Sequence, residues 1–186
     1  MPFLTTDFPG IRVFEPAVFE DDRGYFFESY NKEVFEKAGI TNHFVQDNQS
    51  SSVYGVIRGL HYQLPPYAQA KLVRVLYGRI LDVAMDIRIG SPTYRKVFSI
   101  ELSEENKKHL FIPPGFAHGF SVLSEKATMI YKCDNLYNKK SEAGIRYDDP
   151  GLSIDWQIPT DKQVVSNKDK ELPLFADCRN MFEFPA

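Results

Sequence analysis

The chain has 186 residues, of which 43% are hydrophobic and 25% charged, as is ordinary for one globular domain with a full core. Its net charge of −3 argues against nucleic-acid binding, and no apolar run approaches the ~20 residues that span a membrane. The N-terminus lacks the basic and apolar regions of a signal peptide, and the two cysteines, Cys133 and Cys178, form no redox or zinc motif. We therefore expect one cytoplasmic domain over residues 1–186.

The predicted elements are mostly strands. Asn31 is expected to cap a helix from Lys32 to Ala38 that ends at Gly39, and residues 103–106 a single helical turn. Strands are predicted over residues 56–63, 71–76, 80–87, 97–102, 110–112, 117–123 and 128–133, with 71–87 forming a hairpin. From about residue 148 the chain is irregular and is expected to wrap the body. Many short strands, with 14% aromatic residues, predict a sandwich, jelly roll or barrel.

The first predicted long strand carries chemically useful side chains. His61 follows Arg58 and Gly59, and Lys71 opens the next apolar run. Imidazole suits proton transfer near neutral pH, and an ammonium can stabilise the enolate formed beside a ketone. In a regular strand Arg58 and His61 would face opposite sides, so a bulge at Gly59 would be needed to turn both toward one cavity. The pattern predicts a base paired with an oxyanion-stabilising group.

A metal centre is not expected. The H-x-H pair of many jelly-roll metalloenzymes is broken by Gln63, and the other histidines are His43, His109 and His118. A His/Gln/His set is a poor site for divalent transition metals.

A catalytic role for His61 is favoured by three other residues, because Lys71, His118 and Tyr131 lie at strand positions that could line the same barrel interior. Asp169 could orient His61, although its segment, residues 166–169, is by itself more typical of an exposed polar turn or helix cap. Tyr131 and Tyr137 are by default core or rim aromatics, but a tyrosine in a dry site can protonate a carbanion.

Two polar segments could bind an anion or a nucleotide. Residues 22–28 place Arg23 ahead of Glu28, and residues 46–52 contain Gln46, Asp47 and Asn48. Arginine can bind phosphate oxygens through two hydrogen bonds. The alternative interpretation, without a binding role, is that the first segment is a β-turn and the second a polar loop.

Taken together, these motifs resemble the dTDP-4-dehydrorhamnose 3,5-epimerase family. The resemblance runs from about residue 10 to residue 173 and is most specific in two places. These are Arg58-Gly59-Leu60-His61-Tyr62-Gln63 and Pro114-Gly115-Phe116-Ala117-His118-Gly119-Phe120.

The resemblance implies an all-β, cupin-like jelly roll with a few short helices, acting without cofactor or metal on dTDP-4-dehydro-6-deoxy-D-glucose. His61 would remove the C3 and C5 protons, paired with Asp169; Lys71 would stabilise the enolate and Tyr131 would return a proton from the opposite face. The residues implied to bind the substrate are Arg23, Glu28, Gln46, Asp47, Asn48, Arg58, Lys71, His118, Tyr137, Glu142 and Lys168. A homodimer with swapped N-terminal strands is also implied, with no nucleic-acid or membrane partner.

Three alternatives remain open. A relative that inverts only C3 or only C5 would differ only in the pocket wall. A 3,4-ketoisomerase on a similar scaffold would carry different motifs. A catalytically inactive sugar-nucleotide-binding protein would have no reason to keep His61, Lys71, Tyr131 and Asp169 together.

Overall fold

The computed structural model describes residues 2–185, which form fourteen strands, two short α-helices and two 3₁₀ turns, the latter at Thr160–Lys162 and Phe175–Asp177. The strands are β1 (Phe3–Thr5), β2 (Arg12–Phe14), β3 (Val18–Asp21), β4 (Gly24–Phe27), β5 (Gln46–Val53), β6 (Val56–Gln63), β7 (Lys71–Tyr77), β8 (Arg79–Asp86), β9 (Val97–Ser103), β10 (His109–Ile112), β11 (Phe116–Val122), β12 (Lys126–Cys133), β13 (Glu142–Gly144) and β14 (Val164–Val165). The helices are α1 (Lys32–Lys37) and α2 (Asn167–Lys170).

Two sheets enclose the main core. One has the strand order β1-β2-β10-β7-β12-β5, and the other the order β13-β6-β11-β8-β9. Buried apolar side chains of both sheets pack together between them, including Val73, Leu110 and Met129 from the first and Ile80 and Phe120 from the second. Strands β3 and β4 form a separate hairpin. The predicted all-β jelly roll is confirmed.

The predicted hairpin over residues 71–87 is wrong. Strand β7 pairs with β10 and β12 in the first sheet, whereas β8 pairs with β11 and β9 in the second. The short connection at Gly78, whose φ is +76°, carries the chain from one sheet to the other. Hairpin strands and strands that change sheet can share the same alternation and the same turn residues, so the pattern did not distinguish them.

Strand β8 is buried on both faces. Val83 and Met85 pack outward, under a second core that includes Trp156 and Phe182 from the C-terminal segment. The other face points into the barrel, where Asp82 has no exposed surface. The C-terminal segment therefore covers a sheet face that would otherwise be exposed and apolar.

The predicted first helix is confirmed. The Asn31 side chain accepts hydrogen bonds from the backbone N–H groups of Glu33 (3.0 Å) and Val34 (3.3 Å), and Gly39 follows with φ at +83°. Such a cap satisfies amides that lack a partner inside the helix. Across residues 2–185, no helix combines the length and the apolar character needed to cross a membrane.

The second predicted element, a single helical turn capped by residues 103–106, is present only as one hydrogen-bonded turn, in which Ser103 O accepts the Lys107 N–H at 3.1 Å, and no helix follows. Ser103 and Asn106 exchange hydrogen bonds, Asn106 N–H to Ser103 Oγ (3.0 Å) and Ser103 N–H to Asn106 Oδ1 (3.1 Å), as a capping pair would. The chain instead forms a tight turn into β10, with Lys107 at φ +53°. The capping hydrogen bonds are formed, but β10 begins at His109, so too few residues follow Asn106 to continue a helix.

Candidate active site

A cavity of about 400 Å³ is lined by side chains from both sheets. Its lining residues are Gln46, Asn48, His61, Tyr62, Gln63, Gln69, Lys71, Tyr131, Tyr137 and Glu142. An inner recess of about 150 Å³ shares His61, Lys71 and Tyr131 with it and adds Arg58 and His118. An outer groove, which includes Lys168 and Asp169, also reaches His61. Most of the residues predicted for the site therefore meet around one histidine.

The predicted bulge at Gly59 is present. The pairing of β6 with β11 shifts between His61 and Arg58, and both side chains line the inner recess. Gly59 has φ at +116°, and a Cβ there would lie 2.6 Å from the Cα of Gly119, closer than real Cβ contacts. Only glycine fits this position, and the irregularity turns two functional side chains toward one cavity.

His61 forms a pair with Asp169. Its Nε2 lies 2.8 Å from Asp169 Oδ1, and Oδ2 of the same carboxylate accepts the Gly59 N–H at 3.2 Å. Burial alone would raise the pKa of Asp169, but the hydrogen bonds and charge around it outweigh burial, so this pKa is lowered. The group is thus a carboxylate that can orient an imidazole.

The interpretation of residues 166–169 as an exposed polar turn is wrong for Asp169. This residue is buried, with 4% of its surface exposed. The helix-cap interpretation is right for Ser166, whose Oγ accepts the Asp169 N–H at 3.1 Å. The cap holds the first turn of α2 so that its carboxylate reaches β6.

Lys71 faces a second histidine. Its Nζ lies 3.4 Å from His118 Nδ1 and 6.0 Å from the centre of the Tyr131 ring. Burial lowers the pKa of Lys71, while the nearby Cys133 and Asp82 act in the opposite direction. Burial also raises the pKa of Tyr131, so its phenol keeps its proton at neutral pH. A cation and a phenolic donor therefore share one recess.

The rim of the cavity is tied together by Glu142. Its Oε1 accepts from Lys168 Nζ at 2.6 Å, and its Oε2 accepts from the Tyr137 hydroxyl at 3.2 Å. Burial works against ionisation of Glu142, but the Lys168 hydrogen bond and charge prevail and lower its pKa. Gln46 Oε1 accepts the Tyr137 backbone N–H at 2.9 Å. Four predicted substrate contacts thus form one polar rim.

Three predicted binding residues do not line these cavities. Arg23 sits at the tip of the β3–β4 hairpin, with its Nη2 2.5 Å from Asp21 Oδ2 and its side chain 90% exposed. Glu28 directly follows β4. Asp47 lies on β5 between two cavity-lining residues and instead pairs with Lys132 Nζ at 3.0 Å, because side chains alternate along a strand.

Sequence reasoning missed several lining residues. Gln63 was considered only as a metal ligand, yet its side chain is committed to the backbone, donating to Tyr67 O (2.7 Å) and accepting from Asn138 N–H (2.6 Å). In residues 2–185 no group of three or more His, Cys, Asp or Glu side chains is placed to hold a metal ion. Tyr62 and Gln69 carry no local signal that separates them from ordinary strand and loop residues.

Asp82 was also missed. It accepts from His118 Nε2, with both carboxylate oxygens at 3.0 Å. An acidic residue inside an apolar strand is the signal that could have found it, because buried carboxylates are rare without a partner.

Comparison with known proteins identifies one family. The family model described as dTDP-4-dehydrorhamnose 3,5-epimerase matches residues 5–177. A relative of that name from Shigella flexneri is 51% identical over 178 residues, covering 95% of this chain and 97% of the relative.

Solved structures agree in fold. The dTDP-6-deoxy-D-glucose-3,5-epimerase RmlC from Legionella pneumophila, in complex with dTDP-4-keto-L-rhamnose, superposes with a TM-score of 0.94 at 43% identity, covering 99% of this chain and 98% of that one. ChmJ, a 3'-monoepimerase from Streptomyces bikiniensis in complex with dTDP-quinovose, gives 0.85 at 30% identity, with coverages of 92% and 86%.

Proposed function

The chain belongs to the dTDP-4-dehydrorhamnose 3,5-epimerase family, and on that premise we propose that it inverts C3 and C5 of dTDP-4-dehydro-6-deoxy-D-glucose. The product is dTDP-4-dehydro-L-rhamnose. Both carbons are α to the C4 ketone, so one carbonyl acidifies both C–H bonds. The chemistry needs a base, an oxyanion stabiliser and an acid on the opposite face.

His61 is the base in this proposal. Its imidazole takes the proton from C3 while the C–H electron pair becomes the C3–C4 double bond and the negative charge moves to O4. The contact with Asp169 at 2.8 Å fixes the ring and stabilises the imidazolium that forms. The same sequence then repeats at C5.

Lys71 stabilises the enolate oxygen. Water exclusion around a half-buried ammonium strengthens its attraction for developing negative charge. Tyr131 donates its phenolic proton to the carbanion carbon from the opposite face. Solvent then reprotonates Tyr131 and accepts the proton held by His61.

One observation carries the proposal: the groups assigned as base and acid face the same cavity from opposite sheets. His61 projects from β6 of the second sheet and Tyr131 from β12 of the first. Inversion requires removal on one face and delivery on the other, and this arrangement supports that assignment.

The nucleotide part of the substrate needs cations and amide groups. Arg58 and Lys168 offer positive groups around His61, and Gln46, Asn48 and Tyr137 offer hydrogen bonds and an aromatic face at the rim. These contacts suit a diphosphate and a sugar. His118 lines the recess, but its ring nitrogens are already engaged by Asp82 and Lys71.

Free thiols at Cys133 and Cys178 suit a reducing compartment, so we place the reaction in the cytoplasm.

We further propose a homodimer in which N-terminal strands cross to the partner. Arg23 and Glu28, implied to bind the nucleotide, are not among the residues that line the cavity, the inner recess or the outer groove of their own chain. The hairpin that carries Arg23 also exposes Phe19 (67%) and Phe26 (70%). Exposed aromatic side chains beside a charged group are typical of a contact surface.

Mixed dimers test this assembly. Variants His61→Ala and Arg23→Ala are purified, unfolded together and refolded as a mixture. Random pairing would restore an intact site to about one quarter of all sites, because each mixed dimer combines both defects in one cavity. No recovery, with sedimentation showing monomers, would contradict the swapped dimer.

The reaction itself is tested by proton NMR of dTDP-4-dehydro-6-deoxyglucose with the protein in D₂O. Deuterium at both C3 and C5, with product consumed by a coupled rhamnose reductase and NADPH, is the expected result. Absence of deuterium at both carbons would contradict the function.

The second candidate is single-site epimerisation, the kind of reaction for which ChmJ is named a 3'-monoepimerase. The identity of 51% to a 3,5-epimerase against 30% to that 3'-monoepimerase favours the double reaction. Deuterium at one carbon only would reverse this preference.

A further inference from the structure

Asp82 is a buried acid behind the cavity. It has no exposed surface and does not line the cavity, the inner recess or the outer groove. It sits on β8, next to β11, which carries His118. A carboxylate in this position needs a compensating partner, because an unpaired buried charge is costly.

The geometry defines the state of His118. Both oxygens of Asp82 lie 3.0 Å from Nε2, and a carboxylate only accepts hydrogen bonds, so Nε2 carries the proton. Burial lowers the pKa of His118, the charge of Lys71 acts in the same direction, and Asp82 opposes them. A neutral ring protonated on Nε2 leaves a lone pair on Nδ1.

That lone pair faces Lys71. Its Nζ lies 3.4 Å from His118 Nδ1, so one ammonium N–H is held by the ring and the others can reach the recess. With both ring nitrogens engaged, His118 has no free lone pair for a substrate proton. Its place in the site is to hold the lysine.

Among the titratable groups around Lys71, Asp82 is the ionised acid whose charge acts on the lysine. Glu142 lines the same cavity but is held by Lys168 and Tyr137, and Arg58 in the inner recess is a second cation. Cys133 is a neutral thiol, because burial raises its pKa to about 11. Tyr131 is a neutral phenol, because burial raises its pKa as well. His61 faces His118 from β6 but is paired with its own carboxylate, Asp169.

We propose that Asp82 is a positioning residue that acts through His118 on Lys71. It fixes the ring with Nδ1 toward the lysine and keeps the ammonium charged and aimed at the enolate oxygen. The inference rests on the proposed function, in which Lys71 stabilises that oxygen.

The test compares Asp82→Asn with the wild type. We expect kcat to fall about 10- to 100-fold, less than the about 100- to 1000-fold expected for Lys71→Ala, since only the setting of the donor is lost. KM and dTDP affinity should change less than about threefold, because Asp82 touches no substrate. The alkaline limb of the kcat profile should move to lower pH, because Lys71 loses its negative neighbour.

A double-mutant cycle separates this role from a structural one. In a Lys71→Ala background, Asp82→Asn should cost less than about twofold in kcat, since the group it sets is gone. An equal loss in both backgrounds, or a wild-type pH profile in Asp82→Asn, would overturn the proposal.

If the Asp82→Asn variant folds poorly, the proposal can still be tested by a measurement on the wild type that does not depend on turnover. Long-range ¹H–¹⁵N spectra of the wild-type histidines, with His118 assigned by His118→Gln, should show a neutral ring protonated on Nε2 at pH 7. Protonation on Nδ1, or a charged ring, would overturn the proposal even if the wild type acted on a different substrate. Failure of the wild type to exchange deuterium would instead contradict the proposed function.

Discussion

The site contains two histidine–aspartate pairs that differ in access. His61 has a side chain 33% exposed and pairs with Asp169, whose side chain is 6% exposed. His118 is 7% exposed and pairs with Asp82, which is fully buried. In both pairs the carboxylate meets Nε2 at about 3 Å, so the pairing alone does not separate a base from a positioning group.

The other ring nitrogen makes the difference. His118 Nδ1 is engaged by Lys71, whereas His61 opens onto the cavity. The same two residue types therefore serve proton transfer where the ring meets substrate and charge placement where it meets a lysine. Contrasting substitutions in the two pairs test this difference.

The largest effect is expected for His61→Ala. Removing the base should lower kcat by about 10²- to 10⁴-fold, while dTDP binding, measured by calorimetry, survives. His43→Ala is the matched control, because His43 is exposed on a loop. Wild-type turnover in His61→Ala would end the assignment of the base.

A smaller loss is expected for Asp169→Asn. The amide keeps the shape but cannot stabilise an imidazolium, so we expect kcat to fall at least as far as in Asp82→Asn, by about 100-fold or more. Steady-state kinetics of the two variants side by side measure the contrast. If Asp82→Asn were the more damaging, the roles of the two pairs would be reversed.

A further buried histidine, His109, is not paired with a carboxylate in the described residues. His109 is 1% exposed, its Nε2 has no hydrogen-bond partner in the described residues, and burial with the charge of Arg74 lowers its pKa to about 3. Below about pH 6.5 the unfolded chain binds a proton that the folded chain refuses until about pH 3. The free energy of unfolding should therefore decrease as the pH is lowered from about 6.5 to about 3, by up to about 1.4 kcal/mol per pH unit from this group.

His109→Leu tests that slope. Urea unfolding at pH 5.5 and 7.5 should show a smaller difference in the free energy of unfolding than in the wild type, with the remainder due to groups such as His118. An unchanged difference would show that His109 titrates normally. Activity at pH 7.5 should stay within about twofold, because the residue lies outside the cavity.

The smallest effect is expected from a chelator. Gln63 and His118 have their side-chain donor and acceptor groups engaged within the protein. Dialysis against EDTA should leave kcat unchanged within error. A loss that returned with one divalent metal would contradict the metal-free mechanism.

Local patterns predicted the fold class, the capped helix and the bulge at Gly59, because each depends on residues close in sequence. The hairpin over residues 71–87 failed because alternation does not say which sheet a strand joins. Residues 46–52 were expected as a polar loop or a binding segment, and they form β5, whose polar side chains alternate between cavity and solvent. Propensity disfavours a strand here, and pairing with β12 overrides it.

Long-range pairs were beyond local patterns. His61 and Asp169 are 108 residues apart. The residue types alone made Asp169 one available carboxylate in a segment more typical of an exposed turn, and the pairing itself followed from the family resemblance. Asp82 escaped notice because it alternates with apolar residues, which is typical of a strand with one face in water. That face points into the barrel instead.

The two histidine–aspartate pairs also differ in how easily local unfolding can separate their partners. Asp82 and His118 lie on adjacent strands of one sheet, 36 residues apart, and stay together as long as the barrel does. Asp169 arrives on a segment held by β14 and by contacts such as Tyr62 with the Arg179 carbonyl. A local opening of that segment would strip the base of its carboxylate while the barrel stays folded. Enzymatic activity should then disappear at lower denaturant than the barrel itself, so turnover is a reporter of whether the end of the chain is in place.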